Sequence, residues 1–228
     1  AEVQAVGSGV LDVKWSGGCE AAPPVLGAAR ADGALEVLVA VDGAGTLRTE
    51  AASRPEGGGL ALSLDWFDRL GSTPGGRVAV SRSDGRAVVL DASPGAAEVR
   101  EVSSWQAHAL AGLPAEVWVA AASGDSLLTG ADDALAKLWD LRGPSGRPVA
   151  TLRQHDAGVC SAQFHPSRAH VVATGSYDEV LRVFDLRSAA EPLAAVPAGD
   201  GGGVWRVKWA PPASGAPGED RIAAACMR

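Results

Sequence analysis

Short runs in which apolar and polar residues alternate, each closed by an aromatic, return at a near-constant interval along this chain. The best formed are Gly9-Val10-Leu11-Asp12-Val13-Lys14-Trp15, Gly158-Val159-Cys160-Ser161-Ala162-Gln163-Phe164 and Gly203-Val204-Trp205-Arg206-Val207-Lys208-Trp209, with Gly59 to Trp66 as a looser copy. Alternation with a period of two marks a strand with two unlike faces. Aligned on the closing aromatic, Leu11, Cys160 and Trp205 share one face. Asp12, Ser161 and Arg206 share the other, with Ser63 beside them, and Lys14, Asp65, Gln163 and Lys208 form a second polar tier. The apolar set is expected to pack between neighbouring sheets and the polar set to face a central channel. Trp15, Trp66, Phe164 and Trp209, which close these strands, are expected in the core.

A second pattern keeps the same spacing. Thr129 to Asp140 and Thr174 to Asp185 are near copies, with Asp133 and Asp178 45 residues apart and Trp139 and Phe184 also 45 apart. Weaker copies set Asp32 before Gly33 and Asp84 before Gly85, and Asp-Gly is a strong hairpin signal because the turn needs positive φ. The alternating run supplies a first strand. The run ending at Gly27, Ser81, Gly130 or Gly175 supplies a second, the Asp turn leads to a third, and Val149 to Leu152 and Leu193 to Val196 supply fourth strands. A repeat of this length built from four strands is a propeller blade. The expectation is an all-β protein, a β-propeller of WD repeats with about four to five four-stranded blades in one domain. Its units run over roughly 1–55, 56–103, 104–152, 153–198 and 199–228, incomplete at both ends.

Composition narrows the function classes. The 228 residues include 29 Gly and 14 Pro, which punctuate short apolar runs, and no long stretch keeps a helical period. A net charge of −7 argues against binding phosphate backbones, so nucleic acid is not an expected partner. Cys19, Cys160 and Cys226 lack the paired spacing of a zinc site or redox motif, which points to a reduced, cytoplasmic setting with no metal. No apolar run has membrane-spanning length, and no obligate oligomer is expected. The segments Ser16 to Pro24, Phe67 to Gly76 and Ala210 to Glu219 read as loops on one end of the propeller. Gly199 to Gly203 lacks the Gly-Lys-Ser/Thr ending of a phosphate loop and reads as a flexible connection on the other end.

In WD repeats a His before the first strand, a Ser at the end of the second, the turn Asp and the third-strand Trp form one hydrogen-bonded chain, favourable when every member is satisfied. Here His155, Ser176 and Asp178 meet Phe184 in place of Trp, and His108, Asp133 and Trp139 meet Ala131 in place of Ser, so each network reads as one partner short. Both histidines read first as structural. Trp105, Tyr177 and Trp205 stand near strand starts or turns and are expected to converge, offering ring faces to a cation. His165 and His170 lack a third ligand, and no Gly-x-Ser-x-Gly elbow or dinucleotide fingerprint occurs.

Several stretches exceed what a generic repeat requires: Leu60 to Trp66, Ser104-Trp105-Gln106-Ala107-His108, Gly158-Val159-Cys160-Ser161, Ala173 to Glu179, Gly202 to Trp209 and Ala224-Ala225-Cys226-Met227. In this order and spacing the chain resembles the diphthine methylesterase family, the WD-repeat proteins of diphthamide biosynthesis. The resemblance implies hydrolysis of the methyl ester of methylated diphthine on elongation factor 2, giving diphthine and methanol without a cofactor. It brings no settled catalytic set, so roles follow from the chemistry of ester hydrolysis. Trp105, Tyr177 and Trp205 would hold the trimethylammonium of the substrate and Arg206 the developing oxyanion. His108 would act as base for water, with Glu179 or Ser161 assisting. Cys160, in an apolar slot, is a poor nucleophile. Fold alone predicts a noncatalytic scaffold for protein–protein interaction instead, or a module that binds a methylated side chain without turning it over.

Overall fold

Each alternating run becomes the first strand of an antiparallel sheet, and each Asp turn joins its second strand to its third. The structure, a computed structural model, describes residues 8–17, 24–41, 45–53, 55, 57–67, 76–93, 95–96, 98–144, 146–198, 201–210 and 220–227. The first sheet holds β1 (Val10–Trp15), β2 (Leu26–Arg30), β3 (Leu35–Ala40) and β4 (Leu47–Ala52). The second holds β5 (Ala61–Trp66), β6 (Arg77–Arg82), β7 (Arg86–Asp91) and β8 (Arg100–Gln106). A small hairpin, β9 (Ala109–Leu110) with β10 (Leu113–Pro114), precedes the third, formed by β11 (Val117–Ser123), β12 (Ser126–Ala131), β13 (Ala136–Asp140) and β14 (Ala150–Leu152). The fourth holds β15 (Val159–Phe164), β16 (Val171–Ser176), β17 (Val180–Asp185) and β18 (Ala194–Pro197), and a fifth pairs β19 (Val204–Trp209) with β20 (Ile222–Cys226). Within every sheet the strands lie in chain order, and β1, β5, β11, β15 and β19 lie side by side in that order. No helix is assigned among the described residues.

The core sits between sheets. Leu35 and Val37 of the first pack with Leu64, Trp66 and Val80 of the second. Val89 and Trp105 of the second pack with Val117, Leu127 and Trp139 of the third, and Leu128 and Leu152 of the third pack with Phe164, Val172 and Phe184 of the fourth. Burial of a large apolar side chain is worth about 1.5–3 kcal/mol, so each sheet is held chiefly by its neighbours. Trp66 shows the rule: its ring is buried and its Nε1–H donates back to Lys14 O of the preceding strand at 2.8 Å. Trp15 therefore departs from its expected core position. It is 46% exposed, because no described sheet lies on the side to which a closing aromatic packs.

Two strand expectations need correction. Gly27 lies near the start of β2, where it pairs with Lys14, and the strand runs on to Arg30. The third inner strand, Val117–Ser123, has no counterpart among the alternating runs: Val119, Ala120, Ala121 and Ala122 are all buried, so no polar face is written into it. The Asp turns behave as expected, with Asp32, Asp84, Asp133 and Asp178 each accepting the N–H two residues on, at 3.0 to 3.2 Å. Gly33 and Gly85 supply positive φ in the first two sheets, whereas Ala134 at 60° and Glu179 at 67° adopt it in the third and fourth. The segments read as loops, 18–23, 68–75 and 211–219, and residues 199–200 of the Gly-rich connection lie outside the described residues.

Candidate functional site

Every inner strand carries the same irregularity. The pairing of first and second strands slips between Val10 and Asp12, Ala61 and Ser63, Val117 and Val119, Val159 and Ser161, and Val204 and Arg206. The residue passed over is Leu11, Leu62, Trp118, Cys160 or Trp205. A bulge re-aims the side chain of its extra residue, and these five side chains, with Arg206, line one cavity of about 110 Å³. This corrects the alternation read from the sequence. Leu11 and Trp205 do not pack between sheets: at 43% and 37% exposure they are turned to the mouth of the inner-strand ring, because the bulge takes them out of the two-residue period, whereas Cys160 is buried with its thiol against Val204 O of the fifth sheet.

The polar tiers lace the inner strands together. Asp12 Oδ2 accepts Ser63 Oγ–H at 3.0 Å and Leu64 N–H at 3.2 Å, and Asp65 Oδ2 accepts Ala122 N–H at 2.9 Å. Ser161 Oγ accepts Val207 N–H at 2.9 Å and Gln163 Oε1 accepts Trp209 N–H at 2.7 Å. An inner strand turns an open edge of backbone groups toward the axis, and unpaired buried N–H groups are destabilising. These side chains supply the missing acceptors. Lys14 Nζ sits 3.7 Å from Asp12 and 3.8 Å from Asp65, and Arg206 Nη2 lies 3.9 Å from Asp12 Oδ1, spanning the first and fifth sheets.

Three aromatics converge at the mouth, and one differs from expectation. Tyr177 and Trp205 lie 6.1 Å apart, and the third ring is Trp118, at 6.1 Å from Trp205 and 6.5 Å from Tyr177. Trp105 does not join them. It sits on β8, the outermost strand of its sheet, buried against Trp139 at 5.3 Å. Trp118 carries no signal in the sequence, because it lies in β11, whose buried residues show no polar alternation. Tyr177 fits between the starts of two inner strands because both are glycine there: a Cβ on Gly203 would lie 2.9 Å from Tyr177 Cδ1, and one on Gly158 3.2 Å from Cδ2. Trp118 Nε1–H donates to Asp132 Oδ1 at 2.6 Å. Burial raises the Tyr177 hydroxyl above its usual value, with the carboxylates of Asp132 and Glu116 adding negative potential.

The remaining candidates fall in different surroundings. His108 is buried with both nitrogens engaged: Nδ1 lies 2.9 Å from the Asp133 carboxylate and Nε2 2.8 Å from Thr129 Oγ1, which also accepts Trp139 Nε1–H at 2.9 Å. The network expected to lack a hydroxyl is complete, since Thr129 supplies what Ala131 cannot. Burial, against the pull of Asp133, lowers the His108 pKa and keeps the ring neutral. It has no opening to substrate, which corrects its assignment as base. In the fourth sheet His155 Nε2 meets Thr174 Oγ1 at 2.9 Å while Ser176 Oγ–H donates to Ala157 O, so Thr174 stands where Ser176 was expected. Ser161 is buried and committed to Val207. Glu179 is exposed on the turn that carries Tyr177, and the Arg206 side chain is 36% exposed beside the cavity. The Cys160 thiol donates to Val204 O at 3.0 Å and burial pushes it up to about 12, which disfavours the thiolate.

Successive four-stranded sheets with their inner strands around a common mouth and a Trp-Thr-His-Asp chain in the third define a WD-repeat β-propeller. A family model described as "WD domain, G-beta repeat" matches residues 146–185. A chain in the "Crystal Structure of Mitotic Checkpoint Complex" shares the fold, with a TM-score of 0.63 at 16% identity over 92% of this chain and 61% of that one. Beyond fold, the chain is similar to the diphthine methyltransferase of Homo sapiens, at 37% identity over 90% of this chain and 45% of that protein. It is also similar to the diphthine methyltransferase homolog of Dictyostelium discoideum, at 32% identity over 90% of this chain and 56% of that protein. The resemblance read from the sequence therefore holds along nine-tenths of the chain, which spans about half the length of these relatives. Among the described residues no helix is long and apolar enough to cross a membrane.

Proposed function

We propose that this chain acts in diphthamide biosynthesis as the propeller of a methylesterase, hydrolysing the methyl ester of methylated diphthine on elongation factor 2 in the cytoplasm. The observation that carries this reading is the similarity to proteins named diphthine methyltransferase over 90% of the chain. The mouth cavity supplies a place for the chemistry. Water adds to the ester carbonyl, the carbonyl oxygen becomes an oxyanion, and collapse expels methoxide, which takes a proton and leaves as methanol. Arg206 is the group to face the oxyanion, since it is the cationic residue lining the cavity and its guanidinium is only loosely paired, 3.9 Å from Asp12. With His108 enclosed and Ser161 committed, Glu179 is the member of the assigned set left to take the proton from water. Methanol release from methyl-esterified elongation factor 2, with loss of at least tenfold on Arg206→Gln in a folded protein, supports this reading. No methanol from the wild-type protein overturns it.

One observation favours a second reading, a module that binds without turnover. The thiol in the cavity is pushed to about 12 and the buried His108 has both nitrogens occupied, so neither is an activated nucleophile or base. Tight binding of the esterified factor with no methanol would support it.

A further inference from the structure

Arg82, the last residue of β6, is only 3% exposed, yet no carboxylate among the described residues pairs with it. Its Nη2 donates to Gly33 O at 3.5 Å and to Gly59 O at 3.1 Å, and its Nε–H has no partner. A guanidinium in a protein stays protonated, so the charge cannot be shed. A buried charge is strongly unfavourable unless an opposite charge faces it, and two carbonyl dipoles are less than that.

The first sheet shows how the same position is satisfied elsewhere. Arg30 ends β2 as Arg82 ends β6: Arg30 pairs with Val10 of the inner strand and Arg82 with Ala61. Each stands two residues before its turn Asp. On the third strands Glu36 pairs with Ala28 and Val88 with Val80, so Val88 is the counterpart of Glu36. Arg30 Nη1 lies 3.3 Å from Glu36 and Nη2 2.8 Å from Asp32. Valine cannot repeat the first contact, and Asp84, which accepts Arg86 N–H at 3.2 Å, does not repeat the second. The more deeply buried arginine is therefore the one without a counter-ion.

Arg82 and Val88 both line a cavity of about 30 Å³ at the join of the first and second sheets, so a carboxylate carried at position 88 would project into it. That is room for one water-sized body. Ser53, also in the lining, accepts Leu35 N–H at 2.8 Å and keeps its own O–H as a donor. We propose that this cavity binds one small monovalent anion of the chloride class, which serves as the counter-ion of Arg82 and ties the first sheet to the second. Phosphate and sulfate, with four oxygens around their centres, exceed the space. The acidic residue in the lining, Glu101, is exposed on the outer strand β8.

Thermal unfolding of this chain in sodium chloride and in sodium gluconate at equal ionic strength reads the site, because gluconate is too large to enter. Chloride should stabilise, each tenfold increase above its Kd raising Tm by about 3–5 °C. Val88→Glu builds the counter-ion into the chain, so it should lose the chloride dependence and melt in gluconate at or above the wild-type temperature. Arg82→Met should lose the dependence and Glu101→Gln should keep it. Crystals soaked in bromide should show an anomalous peak beside the Arg82 guanidinium. Equal Tm in chloride and gluconate, or a dependence unchanged in Val88→Glu, overturns the proposal. A chloride dependence that appears only in Glu101→Gln makes that carboxylate the counter-ion and overturns it as well. Should Arg82→Met not fold, the wild-type crystal decides, and no bromide in the cavity refutes the site.

Discussion

Replacing Thr129 by valine should destabilise the protein more than the same change at Thr174, and the difference measures one indole hydrogen bond. Thr129 Oγ1 lies 2.8 Å from His108 Nε2 and 2.9 Å from Trp139 Nε1, with all three residues buried. Valine keeps the shape and removes the hydroxyl, leaving two buried nitrogens without a partner. Each such loss costs about 1–3 kcal/mol, so Thr129→Val should cost about 2–6 kcal/mol in all. In the fourth sheet Phe184 stands where Trp139 does, so the Thr174 hydroxyl serves His155 at 2.9 Å and no indole. Thr174→Val should therefore cost about 1–3 kcal/mol. Urea unfolding of both variants gives the comparison. In a Trp139→Phe background the Thr129→Val penalty should fall to the Thr174→Val level. Penalties agreeing within about 0.5 kcal/mol in the wild-type background, the scatter expected of independent sites, would refute the idea that the hydroxyl bridges His108 and Trp139.

Ala134→Gly should stabilise by about 0.5–1 kcal/mol in thermal or urea unfolding, because Ala134 has a φ of 60° and a left-handed residue with a Cβ is strained by about 1–2 kcal/mol. His155 is lowered from 6.5 to about 4, by burial first and Arg182 second, so the unfolded chain takes up a proton that the folded one refuses. Stability is full above about 6.5 and falls as pH drops toward 4, by up to roughly 3 kcal/mol, and His155→Gln should flatten that slope in melts run across this range. Iodoacetamide should label exposed Cys226 well before Cys160, whose thiol is buried and pushed up to about 12; equal labelling rates in the folded protein would contradict the buried placement.

Much of the architecture can be read from the chain because a propeller repeats its instructions. The Asp turns were legible at Asp32, Asp84, Asp133 and Asp178, since their side chains bond locally and the geometry depends on little else. The third inner strand was not. Val117 to Ser123 is covered on both faces, so burial erased the alternation that flags the other four. With that strand went Trp118, and the aromatic cluster acquired the wrong member. The bulges escaped for another reason: nothing in Val10-Leu11-Asp12 or Val204-Trp205-Arg206 distinguishes an extra residue from an ordinary inward one until the partner strand is placed. Thr129 and Thr174 offer the hydroxyl two residues before the end of the second strand, where the chain still runs beside the histidine, and nothing in the sequence marks that offset.

The recurring slip in the inner strands separates two jobs that a strand residue usually performs at once. Leu11, Leu62, Trp118, Cys160 and Trp205 are the residues skipped in the pairing of their strands, and none of the five belongs to an inter-sheet cluster except through its neighbours. They behave as five sockets on a rigid collar. Exchanging one fitting, such as a cysteine for a leucine, alters what the collar grips while the scaffold beneath is left in register, so one propeller can be refitted for a different cargo by changing a handful of side chains.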